Sequence, residues 1–204
     1  MTRLGFLIAR TLRQETPISS LSVGRQRLLA DLHGRSVALV GNARSLSEKA
    51  LGAEIDAADL VVRINRAPTP SAVSHGTRTD WLALATSLAD GDLERIRPKR
   101  ILWMSHKRKR LSWTVASSEG FYLHPLEDYE RLKQQLGSPP TTGAMMIDLL
   151  SQSDLRRLTL CGFDFFASLS LTGSRTADQV PHDFGAEKRF VEELVARDQR
   201  ISLT

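Results

Sequence analysis

Two hydrophobic patterns alternate along the chain. Near-continuous apolar runs, as in SVALVGN (36–42), ADLVVRIN (58–65), TDWLALAT (79–86), RILWMS (100–105) and LRRLTLCGFDF (155–165), have the look of strands buried on both faces. Between them lie segments whose apolar positions recur every three or four residues, the helical spacing. EDYERLKQQL (127–136) is one, closed by Gly137 in the position where a helix ends left-handed. GAMMIDLLSQS (143–153) and HDFGAEKRFVEELVARD (182–198) are others, and ISLT closes the chain as a last strand. Residues 3–15 and 23–33 read as short helices, the first with Leu4, Phe6, Leu7, Ile8 and Leu12 on one apolar side. ARSLSEKALGAEIDAA (43–58) reads as a loop and short helix, RAPTPSAVSHGT (66–77) as a loop, and GFYLHP (120–125) as a further strand. Strands that alternate with helices predict an α/β fold with a mainly parallel sheet flanked by helices, and ligands outside the carboxyl ends of its strands.

A chain of 204 residues with 41% hydrophobic content suits one compact domain, the usual size being ~150 residues. The expected division is an N-terminal helical segment, 1–34, packed on a binding domain, 35–204. The first helix can pack on that domain or lie on a membrane surface. No run reaches the roughly 18 apolar residues of a membrane span, and the N-terminal apolar patch is too short for a signal-peptide core. Cys161 is the only cysteine, so no intrachain disulfide forms, and a reducing, cytoplasmic setting is expected. A balance of 28 Lys+Arg against 23 Asp+Glu, net +5, is too modest for a dedicated nucleic-acid binder but leaves an anionic ligand or surface open.

The chemistry-bearing residues gather in the loops. Gly41 and Asn42 follow the first strand, and R-I-N-R-A-P (63–68) follows the second. Neither a G-x-G-x-x-G nor a G-x-x-x-x-G-K-[ST] phosphate loop is present. P-P-T-T-G (139–143) opens a helix whose N-terminus is a ready anion site, and His182 and Glu187 flank the start of the last helix. Asp90-Gly91-Asp92 matches a D-x-D metal pattern but sits before LERI as a turn and helix cap. Cys161 lies in an apolar strand, as a core residue does, and His33, His75, His106 and His124 lack partners at ligand spacing, so no metal site is expected. The basic segment 95–110 is either a solvated face or a surface for an anionic acceptor or the inner face of a membrane.

In order and spacing these four pieces resemble the sialylmotifs of the sialyltransferases of glycosyltransferase family 29. Residues 37–86 are similar to the long motif, from the G-N turn through E-I-D to R-x-N-x-A-P, residues 139–163 to the short motif, and His182-x4-Glu187 to the very short motif. The resemblance implies a Rossmann-like, GT-A-like domain that moves sialic acid or a related ulosonic acid such as Kdo from a CMP-activated donor to a glycan or glycolipid hydroxyl. It implies inversion without a metal and with no cofactor beyond the donor. Gly41, Asn42, Asn65, Arg66, Thr141, Thr142 and Gly143 then hold the CMP portion, Gly41 by admitting the nucleotide to the backbone and the asparagines through donor and acceptor atoms. His182 is the general base, kept neutral by the positive helix end, and Glu187 orients or tempers it.

Departures from the family pattern bear on this reading. Val37 and Leu155 stand where animal members carry a pairing cysteine, which suits a cytoplasmic, bacterial protein with a shortened acceptor region. The third motif, rich in His and Tyr, should fall within 169–180, where LSLTGSRTADQV has neither, leaving Ser170, Thr172, Ser174 or Arg175 to meet the phosphate. A catalytically idle nucleotide-binding module, or a transferase for a different nucleotide sugar, is the alternative.

Overall fold

A computed structural model describes residues 1–89, 91–165, 170–171 and 179–204. Asp90 of the D-x-D pattern, and Thr172, Ser174 and Arg175 of the third-motif segment, lie outside these residues. Seven strands make one sheet: β1 (Ser36–Val40), β2 (Leu60–Ile64), β3 (Trp81–Leu84), β4 (Arg100–Trp103), β5 (Tyr122–Leu123), β6 (Arg157–Cys161) and β7 (Ile201–Leu203). Their order is β5-β4-β3-β2-β1-β6-β7, and every pair is parallel. The helices are α1 (Arg3–Thr11), α2 (Glu15–Ser19), α3 (Arg25–Ala30), α4 (Gly52–Ala57), α5 (Ala72–His75), α6 (Asp92–Ile96), α7 (Trp113–Ala116), α8 (Leu126–Leu136), α9 (Thr142–Ser151) and α10 (Phe184–Arg197). This is the α/β fold with a parallel sheet expected from the alternation of patterns.

The period-two geometry of a strand sorts its side chains onto two covered faces. Val37 and Leu39 of β1, Leu60 and Val62 of β2, and Leu158 and Leu160 of β6 point to the side packed by α3, α8, α9 and α10. On the opposite side, Ala38, Val40, Val61 and Cys161 pack under α4 around Ile55. There Leu82, Leu84, Ile101 and Trp103 meet α1, α2 and α7. With both faces dry, the near-continuous apolar runs are explained.

Three segments depart from the sequence reading. The apolar side expected of the first helix divides: Phe6 and Ala9 are buried, while Leu4, Ile8 and Leu12 are 68%, 50% and 62% exposed. At 100° per residue Phe6 stands nearly opposite that trio, so one helix cannot bury both. The run 3–15 breaks at Arg13, whose φ is +57°, and a second short helix follows. The loop 66–77 contains the single turn α5, capped by Ser71. Asp92 is a first-turn residue of α6 paired with Arg95 at 3.2 Å, and the N-cap position belongs to Gly91.

β2 and β5 bury polar groups as well. Arg63 is 1% exposed and donates to the carbonyls of Arg78 (2.8 Å) and His75 (2.6 Å), which hold the loop between α5 and β3 against the sheet. His124, just after β5, is 2% exposed, and burial pushes its pKa down to about 4 from 6.5. The unfolded chain therefore takes up a proton near pH 6.5 that the folded chain refuses until near pH 4, and His124 costs stability across that interval as pH falls. Comparing urea midpoints of wild type and His124→Phe should show the variant gaining, by on the order of 3 kcal/mol, between pH 7 and pH 4. A pH-independent difference would remove His124 from the acid response.

Candidate functional site

A cleft of about 940 Å³ opens at the carboxyl ends of β1, β2, β3 and β6 and at the N-terminus of α9. Its position follows from the topology. The chain leaves β1 toward α4 on one face and reaches α10 from β6 on the other, so the crevice forms where the two connections part. The seven residues expected to bind CMP line it, together with His182 and Glu187.

The segment before α9 is stitched to the start of α10 by hydrogen bonds at three successive levels. The Asp183 amide donates to Ser138 Oγ (3.1 Å), His182 Nδ1 meets the Pro139 carbonyl (2.7 Å), and Glu187 receives both the Thr141 amide (Oε1, 2.7 Å) and the Thr141 hydroxyl (Oε2, 2.8 Å). Thr141 Oγ1 in turn caps α9 by accepting from the Ala144 amide (3.1 Å), and Asp183 caps α10 by accepting from the Ala186 amide (2.9 Å). A carbonyl only accepts, so the Pro139 contact places the proton of a neutral imidazole on Nδ1 and leaves Nε2 as its basic nitrogen. The expectation that Glu187 orients the imidazole is corrected by this geometry. Both carboxylate oxygens are engaged with Thr141, and Glu187 acts on His182 only through the shared segment.

Glu187 is 4% exposed, and burial raises its pKa to about 7 even though the two bonds from Thr141 oppose the shift. Its carboxylate sits on the first residue of the α9 entrance, so part of the anion site expected there is occupied by the protein's own side chain. The amides of Thr142 and Gly143, which precede the capped Ala144, are the helix-end donors that remain among the described residues.

The two asparagines are engaged with backbone rather than held open. Asn42 is nearly buried, its Nδ2 donates to the Ile64 carbonyl (3.3 Å), and its own carbonyl accepts from the Leu171 amide (2.8 Å). Asn65 has φ +53°, a left-handed conformation that asparagine tolerates better than most residues. Its Oδ1 accepts from the Ala85 amide (3.1 Å) and its Nδ2 reaches Thr142 Oγ1 (3.5 Å), bridging β2, the end of β3 and α9. Asn65, expected to offer donor and acceptor atoms to the nucleotide, lines the cleft while forming this bridge. Gly41 likewise has a packing reason: a Cβ there would collide with the Gly162 carbonyl. At Gly143 a Cβ would lie 2.7 Å from the Phe163 ring. Arg66 is exposed at the cleft and its carbonyl accepts from Arg95 (3.4 Å).

Sequence reasoning missed Arg44, Ala85, Thr86 and the Gly162-Phe163-Asp164 turn, all of which line the cleft. The rule that selected the loops after β1 and β2 applies equally to those after β3 and β6. Ser170 is the third-motif candidate that falls within the described residues; it bridges Ala43 and lines the cleft. Cys161 is 1% exposed, and burial raises its thiol pKa. Among the described residues no group of three or more His, Cys, Asp or Glu has a metal-holding arrangement.

The family model for glycosyltransferase family 29, the sialyltransferases, matches residues 10–118, more than half of the chain. The chain belongs to this family. It is by that membership a CMP-sugar glycosyltransferase. The sequence matches no curated protein. Among solved structures, a mammalian sialyltransferase in complex with Gal-β-1-3GalNAc-ortho-nitrophenol is similar with a TM-score of 0.60 and 18% identity, over 88% of this chain and 78% of that one. The sialyltransferase CstII from Campylobacter jejuni, in complex with the substrate analogue CMP-3FNeuAc, is similar with a TM-score of 0.52 and 13% identity, over 83% and 79%. At these identities the likeness shows the family's fold.

The Glu187 pKa gives a signed expectation. A carboxyl raised to about 7 in the fold and near 4.5 when unfolded opposes folding increasingly as pH rises from 4.5 to 7. Denaturation of Glu187→Gln against wild type should show the variant gaining relative stability over that interval and none beyond it. Glu187→Ala should lose about 1–3 kcal/mol at pH 5 because the Thr141 amide is left without its partner. Equal pH profiles for wild type and Glu187→Gln would disprove the assignment.

Proposed function

We propose that this member of family 29 transfers sialic acid, or a related ulosonic acid such as Kdo, from a CMP-activated donor to a glycan or glycolipid hydroxyl, with inversion and without a metal. The convergence in one cleft of the α9 entrance, the loops after β1 and β2, and His182 with Nε2 as its basic nitrogen supports this most strongly. The donor class follows from family membership and from the CMP-sugar analogue held by the Campylobacter protein.

The acceptor hydroxyl attacks the anomeric carbon as the bond from that carbon to the donor phosphate oxygen breaks. His182 Nε2 takes the hydroxyl proton, and CMP departs with the bonding pair. Charge on the departing monophosphate meets the amides of Thr142 and Gly143 and the positive end of α9. A monophosphate develops less charge than a diphosphate, so such neutral donors can stand in for a metal. Asn42 and Asn65 shape the nucleotide pocket through the backbone they hold, and exposed Arg66 and Arg44 supply positive charge at its rim. Glu187 is a positioning residue that fixes the α9 entrance. A bacterial, cytoplasmic setting belongs to the same proposal, supported by the single buried cysteine and by Val37 and Leu155, both core residues.

Calorimetric titration should show CMP binding more tightly than UMP or UDP, with no change on adding EDTA. His182→Ala should keep CMP affinity within a few-fold and lose transfer by about a hundredfold or more. Preference for UDP with manganese would defeat the donor and metal assignments, and full turnover by His182→Ala would remove the base. CMP binding without transfer to any acceptor tried would favour the idle module.

A further inference from the structure

Four of the large apolar side chains most exposed among the described residues are clustered at the N-terminus: Met1, Leu4, Ile8 and Leu12. The last three recur every four residues and form one outward row along α1, while Phe6 and Ala9 anchor the opposite side in the core. Residues 1–13 contain no acidic side chain, and Arg3 and Arg13, which precede Leu4 and follow Leu12 in the chain, are exposed. The helix is fastened by Arg10 Nη1 to the Leu111 carbonyl (2.8 Å), directly after the tight turn Arg108–Arg110. The basic segment carries two kinds of charge. Arg95, Lys99, Arg100 and Arg108 are paired with Asp92, Asp80, Asp31 and Glu15, whereas Lys107, Lys109 and Arg110 are exposed and make no ion pair among the described residues. Ser87 Oγ donates to the Arg110 carbonyl (3.1 Å), so this turn lies beside the loop after β3, whose Ala85 and Thr86 line the cleft.

We infer that α1 and the 107–110 turn dock the protein on an anionic lipid bilayer, with Leu4, Ile8 and Leu12 entering the interface and Arg3, Arg13, Lys107, Lys109 and Arg110 facing the headgroups. An apolar row flanked by cations, with the neighbouring acid Glu15 already paired to Arg108, suits such a surface, because shallow burial and charge attraction are individually weak and act together. A second copy of the chain fits poorly, since two such faces would oppose like charges. The link between this turn and the cleft would bring the site to the membrane. That point rests on the transferase reading and gives its glycolipid acceptor a physical setting, whereas docking itself does not depend on it.

Vesicle co-sedimentation of the full chain tests the inference, using phosphatidylcholine alone and phosphatidylcholine mixed with phosphatidylglycerol. The protein should bind the anionic vesicles about tenfold or more above the neutral ones and be released by salt. Leu4→Gln/Ile8→Gln/Leu12→Gln should weaken binding by about tenfold or more. Lys107→Gln/Lys109→Gln/Arg110→Gln should weaken it and flatten its salt dependence. All six positions are exposed, so unchanged thermal midpoints should accompany both variants. Absence of binding to anionic vesicles, or equal binding by wild type and the leucine-isoleucine variant, overturns the inference. So does a dimer in lipid-free sedimentation equilibrium that the same variant dissolves. No donor or acceptor enters these measurements, so their failure is distinct from failure of the transferase reading.

Discussion

The bond pair between Glu187 and Thr141 is the constraint on which the site depends. It joins the first turn of α10 to the entrance of α9, two helices on the same face of the sheet, through residues 46 positions apart in the chain. With Thr141 fixed, the Pro139 carbonyl stands where it can hold His182, and the α9 amides are aimed into the cleft. A carboxylate buried to this degree is costly unless hydrogen-bonded, and here backbone and hydroxyl donors of one residue meet both oxygens. The site is therefore preorganised by a buried polar contact rather than by loop packing alone.

The asparagines extend the same principle. A parallel sheet ends in unpaired backbone groups at its carboxyl edge, and the residues there must both satisfy those groups and leave a cavity. Asn42 answers the end of β2, and Asn65 answers the end of β3 while touching α9. The glycines permit close approach: Gly41 beside Gly162 draws β1 and β6 together, and Gly143 admits the Phe163 ring. The resulting frame is apolar on both faces of the sheet and polar along one edge, and the chemistry is confined to that edge.

On the face of the sheet opposite α9 and α10, α1 shows the converse division. Its inward residues complete the packing over β3 and β4, and its outward residues are apolar without an internal reason. A helix has room for one buried stripe, so a second apolar stripe calls for a second medium.

Much was legible in the chain alone. The strands were readable because parallel strands buried on both faces demand unbroken apolar runs, and the site loops because ligand chemistry collects where such strands end. Val37-Ala38-Leu39-Val40 followed by Gly41-Asn42, and the spacing of His182 to Glu187, carried both messages. Partners distant in sequence were not legible. That Glu187 serves Thr141 and not His182, that Asn65 is spent on Ala85 and Thr142, and that Leu4 and Phe6 part company all depend on which surfaces meet when the sheet is covered. Local pattern sets which residues share a strand or a helical face, because that geometry repeats every two or 3.6 residues. Which atom receives a given hydrogen bond is decided at a few ångströms between segments that the sequence leaves far apart.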